Sequence, residues 1–433
     1  MKKENTKKLI IAGIFAFILI YLVSAVYTIF APFNLQLDFQ AILYKIGKFI
    51  GLTSFLFISF LVISGDSARF FDKYFGIDRI IKFQRKFAIA SYFVVLSHPI
   101  FFILSSISFV KNLIPNFAIL PLAAGTLGLY SFIIIMISSL NYKRISHKVW
   151  QYLHVLTYVL FFLILYHASF WGTSSHFLII KIFYTFLAIF VIAGIIYRTN
   201  YKIRQKRNKF LVKEIKWEAK DTFTLILNPK HEISFEAGQF CFLRLEKEGL
   251  YARHPFTISN APGEKELHFT IKLDGRFTKE ATKLKPRDEI KLEGPFGNFT
   301  INDNKKDIVF IAGGVGITPF RSMIRDKINR KDNQKTILLY SSKKIKDIIF
   351  KKELDKINKN WFKKVYILTR EKRRVSSMEK GRISKEMITE YVEDPCDKDY
   401  YICGPIEMKN TLCIILNELG VKGKNIFFED FFW

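Results

Sequence analysis

Two hydropathy patterns divide the chain. Over the first two hundred residues apolar positions run on for about twenty residues at a time; beyond residue 209 they alternate with polar ones in short bursts. A helix needs roughly twenty apolar residues to cross the hydrocarbon core of a bilayer. Six stretches reach that length: 9–30, 46–64, 85–108, 115–140, 149–170 and 177–198. Between 209 and 300 the runs FLVKEIKW, TFTLILN, FCFLRL, LHFTIKL and EIKLEG alternate with a period of two, which predicts a small antiparallel β-barrel. From 301 to 433 the strands DIVFIAGG, TILLYSS, KVYILTR and DYYICGP alternate with helical stretches, which predicts an α/β domain with a parallel sheet. The expected organisation is therefore a six-helix transmembrane bundle over 1–200, a basic linker (YRTNYKIRQKRNK), the barrel over 209–300 and the α/β domain over 301–433.

Charge adds orientation. The formal net charge is +28, and the basic residues gather at the ends of apolar runs. Lys2, Lys3, Lys7 and Lys8 precede the first run. Arg69, Lys73, Arg79, Lys82, Arg85 and Lys86 fall between or just inside the second and third. Lys143, Arg144 and Lys148 lie before the fifth, and Arg198, Lys202, Arg204, Lys206, Arg207 and Lys209 follow the sixth. The loop before the fourth run holds only Lys111, and WGTSSH before the sixth holds no Lys or Arg. The positive-inside rule then places both termini, and the barrel and α/β domains, on the cytoplasmic side of the membrane. An even number of spans agrees. The first apolar stretch is long and lacks a small-residue cleavage site, so it is read as a retained span. No nucleic-acid module is recognisable. The four cysteines, Cys241, Cys396, Cys403 and Cys413, form no CxxC pair and suit a reducing compartment rather than a disulfide framework.

Three of the eight histidines, His98, His154 and His167, fall inside predicted spans. Ionisable groups there are costly and mark function; the plainer reading is a neutral ring bonded to a neighbouring helix. His154 and His167 share the fifth span, about 20 Å apart along the axis and about 140° apart in rotation. That rise suits two stacked porphyrins, each needing a second axial ligand, and neutral imidazole is a good ligand for haem iron. His98 on the third span is paired with His167 towards the outer surface. His147 and His176 are read as loop histidines.

In the second half, RHPFTISN (Arg253 to Asn260) sets an aromatic and hydroxyls where a flat ring could stack; its plainer reading is a core strand. KLDGRFTKEATKL reads as strand, turn and helix, with Thr278 near a helix start that could meet a phosphate or merely cap the helix. The two segments together favour a dinucleotide flavin. Gly313, Gly314 and Gly316 follow a strand and would let the backbone approach a pyrophosphate. Cys403, Gly404 and Pro405 end another strand, where open α/β sheets bind ligands; the plainer reading of Cys403 is a buried thiol. Lys343, Lys344 and Arg370 follow two further strands and favour NADPH over NADH, against chance placement in so basic a chain. The closing FFEDFFW is either a hydrophobic anchor or a cover for a flavin ring.

HPFTIS, AGGVGITPF, YICGP and the spaced histidines of the third and fifth spans together resemble bacterial members of the NADPH oxidase and ferric reductase superfamily, over the whole chain. The resemblance implies FAD beside His254, Pro255, Phe256, Thr257, Ile258 and Ser259, in a site also shaped by Gly238, Gln239 and Phe240. It implies flavin pyrophosphate near Lys272 and Thr278, and NAD(P)H at Gly313, Gly314, Gly316, Thr318, Pro319, Cys403, Gly404 and Pro405. Cys403 and Trp433 are the expected catalytic residues, Trp433 as the flavin-shielding aromatic. One or two b-type haems complete the cofactors, with His98, His154 and His167 as ligands. One departure stands out. The family's inner histidine of the third span falls here on Gln84, followed by Arg85 and Lys86, so His154 lacks its usual partner. Arg85 is a poor ligand because it stays charged. An inner haem held by His154 is nonetheless expected, because flavin and an outer haem would otherwise stand far apart. The implied activity is electron transfer from NAD(P)H through FAD and haem to a small-molecule acceptor beyond the membrane, either dioxygen, giving superoxide, or a ferric chelate, with no partner protein required. Two other readings remain: a haem protein of the membrane that reduces a quinone or a partner protein, and a transporter or proton channel built on a histidine relay.

Overall fold

The computed structural model describes residues 2–30, 38–142, 144–207, 209–229, 233–245, 250, 252–302, 304, 306–372 and 375–429. The chain forms two compact units, Met1–Lys202 and Ile203–Trp433.

The first unit holds α1 (Lys2–Phe30), α2 (Phe39–Phe75), α3 (Ile77–Ser105), α4 (Leu120–Leu140), α5 (His147–Phe170) and α6 (Leu178–Arg207). These six helices are long and apolar enough to cross a membrane. Large apolar side chains such as Phe15, Val23, Phe93, Leu104 and Ile137 face outwards. Backbone groups satisfied within each helix and an apolar exterior are what a lipid environment demands. α2 packs chiefly on α3, and α4 on α5.

The helix ends differ from the hydropathy boundaries. α2 continues to Phe75 and α3 begins at Ile77, because polar residues there find partners instead of ending the helix. The buried Asp72 carboxylate accepts from the Ile77 amide (2.7 Å), which ties the two helices across the one-residue turn at Gly76. α4 begins at Leu120 rather than near 115, because Ile107–Leu113 forms a separate 3-10 turn and Asn116 and Ile119 lead into the helix.

The second unit begins with β1 (Lys209–Ala219), β2 (Thr222–Pro229), β3 (Phe240–Arg244), β4 (His254–Thr257), β5 (Leu267–Lys272), α7 (Arg276–Ala281) and β6 (Glu289–Phe296). The strands pair antiparallel in the order β4-β3-β6-β1-β2-β5, and a bridge between Ile258 and Phe269 joins the two ends into a barrel. Alternate residues, among them Phe223, Leu225, Leu227, Phe269 and Ile271, fill its interior.

The α/β part follows as β7 (Ile308–Gly313), α8 (Thr318–Asn329), β8 (Thr336–Ser342), α9 (Lys351–Lys356), β9 (Phe362–Leu368), β10 (Glu379–Lys380), α10 (Lys385–Tyr391), β11 (Asp399–Cys403), α11 (Ile406–Glu418) and β12 (Ile426–Glu429). The sheet is parallel, in the order β10-β9-β8-β7-β11-β12. From β7 the chain winds first to one side and then to the other, so the strand order reverses between β7 and β11. β12 takes in the first residues of FFEDFFW: Phe427 pairs with Tyr401 and stacks on its ring (4.7 Å). That aromatic run therefore supplies a sheet edge as well as whatever its last residues do.

Candidate functional site

In the membrane unit His98 donates from Nδ1 to the Gly47 carbonyl (2.8 Å), and His167 from Nδ1 to the Pro121 carbonyl (2.9 Å). A carbonyl can only accept, so each neutral ring keeps its proton on Nδ1 and a lone pair on Nε2. Each ring also lies against a glycine of the neighbouring helix. A Cβ on Gly51 would stand 2.4 Å from His98 Cε1, and one on Gly125 would stand 2.5 Å from His167 Nδ1. Both histidines line one cavity of about 260 Å³, shared with Phe55, Val95, Phe132 and Leu160. Two imidazoles alone make an incomplete metal site; a porphyrin supplies four more nitrogens, so this donor set in an apolar cavity fits a haem.

His154 is placed differently. Its ring stacks on Trp150 (5.0 Å, 16°), and its buried Nδ1 has no hydrogen bond among the described residues. Gln84 donates from Nε2 to Ser64 Oγ (2.9 Å) and the Leu61 carbonyl (3.4 Å), while the Arg85 guanidinium lies over the Tyr142 ring. A polar cluster that hydropathy missed stands one turn from His154. Asp66 Oδ1 accepts from Tyr158 (2.6 Å) and from Arg198 (3.1 Å), which joins α2, α5 and α6. The boundary at 64 had left Asp66 outside its span and counted Arg198 as a tail charge.

In the barrel, β3 and β4 lie side by side, with Phe240 opposite Thr257 and Phe242 opposite Pro255. The Ile258 amide donates to the Gln239 carbonyl (2.9 Å) and the Gln239 amide group to the Gly297 carbonyl (3.0 Å), so Gly238, Gln239 and Phe240 flank the HPFTIS strand. His254 and Phe256 stack on Phe277, at 4.1 and 5.8 Å. Thr257 Oγ1 is buried with no partner among the described residues. An orphaned hydroxyl on the strand edge fits a polar ring system such as a flavin. Ser259, by contrast, is engaged internally, with the His268 carbonyl and Thr270. Thr278 Oγ1 donates to the Gly275 carbonyl and accepts from the Asp274 amide, closing its own turn, and Lys272 pairs with Asp221 (3.5 Å). Burial holds His254 and His268 below the usual imidazole range, so both are neutral at neutral pH.

At the carboxyl end of β7 the Gly313–Gly316 turn feeds α8, whose first residues are Thr318 and Pro319. Thr318 Oγ1 donates to the Val315 carbonyl (3.0 Å). Gly316 lies against the turn that ends β11, where a Cβ would stand 2.2 Å from the Cys403 carbonyl oxygen. Gly404 and Pro405 in turn touch Gly313. Two backbone turns thus meet where the strand order reverses, the usual crevice for a nucleotide, with a helix N-terminus facing it. The Cys403 thiol itself is fully buried in the core with Ile317, Phe320 and Tyr401. At the ends of β8 and β9 the Arg370 amide donates to the Lys343 carbonyl (2.9 Å), and both residues are exposed. Trp433 lies outside the described residues.

Arg321 and its neighbours escaped the sequence reading. Arg321 Nη1 donates to the Ser259 carbonyl (2.9 Å), Ser322 to the Asn260 carbonyl (2.6 Å) and Arg325 to Glu264 (2.9 Å). Glu353 accepts from both arginines, which hold its carboxyl below the ordinary range despite burial. This clamp fixes the HPFTIS strand to the helix after the glycine turn. Breaking a buried ion pair costs about 3–5 kcal/mol. Glu353 remains 31% exposed, so Arg321→Ala is expected to lose about 2–3 kcal/mol. The check is urea titration followed by flavin fluorescence, with the midpoint moving to lower urea.

Three family models match successive parts of the chain: a ferric reductase like transmembrane component over 50–165, an FAD-binding domain over 207–313 and an oxidoreductase NAD-binding domain over 310–413. The chain has the architecture of the ferric reductase and NADPH oxidase superfamily. As a ferric reductase-like protein it is a multi-pass membrane protein whose second half carries the FAD and NAD(P)H domains of an oxidoreductase. It is 29% identical over 193 residues to a subunit of the Na(+)-translocating NADH-quinone reductase of Marinomonas sp. (strain MWYL1), covering 43% of this chain and 46% of that protein. The corresponding protein of Methylococcus capsulatus is 32% identical over 157 residues, covering 34% of this chain and 38% of that one. The chain thus spans less than half the length of either relative. A flavohemoglobin from Malassezia yamatoensis, with bound FAD and heme, shares the fold with a TM-score of 0.51 at 18% identity, over 89% of this chain and 98% of that one.

Proposed function

We propose that this chain is a transmembrane reductase that takes electrons from cytoplasmic NADPH, passes them through FAD and b-type haem, and delivers them to dioxygen or a ferric chelate beyond the membrane. The reading assigns 1–200 to haem binding, 209–300 to FAD and 301–433 to the nucleotide, in a bacterial plasma membrane with both termini cytoplasmic. The observation that carries it is the pair His98 and His167, each held by a backbone carbonyl with its free Nε2 in one apolar cavity.

FAD, when bound, supplies the step from a hydride to single electrons, and haem supplies a one-electron carrier within the bilayer. The protein does the positioning. The Gly313–Gly316 turn and the amides of α8 receive the pyrophosphate of the nucleotide. Gly404, Pro405 and the backbone of Cys403 close the crevice beside it. His254, Pro255, Phe256 and Thr257 shape the flavin edge, with Gly238, Gln239 and Phe240 behind them and Arg321 holding the strand in place. NADPH becomes NADP⁺ by losing a hydride, one proton is released in the cytoplasm, and two electrons reduce two equivalents of a one-electron acceptor.

Lys343 and Arg370 support NADPH, since exposed cations at the ends of neighbouring strands suit a 2′-phosphate. Charge-assisted hydrogen bonds contribute roughly 1.5–3 kcal/mol each when well formed. For these exposed side chains, replacing both by serine is expected to lower kcat/KM for NADPH about tenfold, with little change for NADH. Steady-state rates with the two nucleotides check this.

The names of the relatives favour a second acceptor, a quinone. Proteoliposomes separate the two. Reduction of an impermeable ferric chelate on the face opposite NADPH supports the first reading; reduction of a membrane quinone alone supports the second.

A further inference from the structure

The membrane unit repeats one arrangement at two levels, and only one level is built to take a porphyrin. On α2, Gly51 faces His98 and Gly65 faces Gln84: a Cβ on Gly65 would stand 3.4 Å from the Gln84 amide nitrogen. Gly51 and Gly65 are fourteen residues apart, as are Gln84 and His98, so the two levels are about 21 Å apart along the helices.

At the inner level two things change. Gln84 is folded back onto α2, where Ser64 and the Leu61 carbonyl occupy its amide group. Its remaining carbonyl oxygen is a hard, neutral donor and a poor substitute for imidazole on haem iron. His154 lacks the carbonyl acceptor that fixes His98 and His167: its Nδ1 has no hydrogen bond among the described residues, and its ring is held by stacking on Trp150 instead. Between the two levels Ile58, Val95, Phe132, Met136 and Leu160 pack together, with Tyr92 stacked on Phe132 at 6.1 Å, so a packed layer separates one level from the other.

We infer that this chain holds a single haem, between His98 and His167, with Gln84 in place of an inner ligand and His154 unligated. The inference rests on the haem reading above and reverses the expectation of an inner haem on His154, which leaves electron transfer from flavin to the outer haem as one long step.

The test is stoichiometry. The full chain is purified in detergent, haem is measured as the pyridine haemochromogen, and chain concentration is measured by amino-acid analysis. One haem per chain is expected, with a bis-imidazole low-spin signal in electron paramagnetic resonance. His154→Ala should keep both, and His98→Ala should lose nearly all haem. Gln84→Leu, which removes the amide standing at the inner ligand position, should also keep both; it guards against a His154 variant that fails to fold. Two haems per chain, or a fall by half in His154→Ala or Gln84→Leu, would overturn the single-haem inference and leave the haem reading standing. A wild-type chain without haem would overturn both.

Discussion

Gly316→Ala is expected to abolish NAD(P)H oxidation while flavin stays bound. The new Cβ would stand 2.2 Å from the Cys403 carbonyl oxygen and 2.6 Å from its carbon, a contact that only backbone movement can relieve. That backbone is difficult to move. Tyr400, Tyr401 and Cys403 are fully buried on β11, and β11 is paired on both sides, to β7 and β12. The strain therefore falls on the two turns that form the nucleotide crevice. A displacement of about 1 Å at a reacting pair costs on the order of a hundredfold in rate, so kcat/KM for the nucleotide should fall at least that far. Flavin absorbance of the purified variant controls for folding. A variant with full flavin and an unchanged rate would show that the crevice is not where the nucleotide binds.

His167→Ala is expected to remove the haem absorbance and the electron transfer that depends on it. The substitution deletes one of two rings that line the cavity and whose Nδ1 atoms are held by carbonyls. Gly125→Ala should act in the same direction without touching the histidine, because its Cβ would stand 2.5 Å from His167 Nδ1. In both variants reduction of an acceptor across the membrane should fall to less than about a tenth, since no other ligand pair of this kind stands in the cavity to substitute for the lost axial bond. Reduction of ferricyanide added on the NADPH side should persist, because the FAD and nucleotide domains are untouched. Loss of both activities together would point instead to a folding defect.

These predictions depend on features that the sequence displays unevenly. The six helices are legible because apolar runs of bilayer length admit few alternatives, and the barrel strands because they alternate with a period of two. The helix ends were not legible. Asp66 and Asp72 read as the end of a span, whereas in the fold each finds a partner on another segment, Tyr158 and Arg198 for the first and the Ile77 amide for the second. β12 was hidden in FFEDFFW, where aromatics on either side of Glu429 and Asp430 carry no alternation. The glycine turn and the CGP turn could each be seen, but their contact follows only from the pairing of Cys403 beside Ala312. The clamp of Arg321, Arg325 and Glu353 left no local signal, since its partners lie 28 to 62 residues away in sequence. At the histidines, the sequence reading paired His98 with His167, although a rotation of about 140° does not by itself put His154 and His167 on one face. The hydrogen bonds of the rings separate His98 and His167 from His154, and no pattern of spacing could have supplied them.

The most direct measurement is the reduced-minus-oxidised difference spectrum of the purified chain with NADPH as the sole reductant. A b-type haem spectrum that develops on adding NADPH is the predicted result. A chain without haem absorbance, or one whose haem NADPH leaves oxidised while dithionite reduces it, would contradict electron transfer from the nucleotide across the membrane.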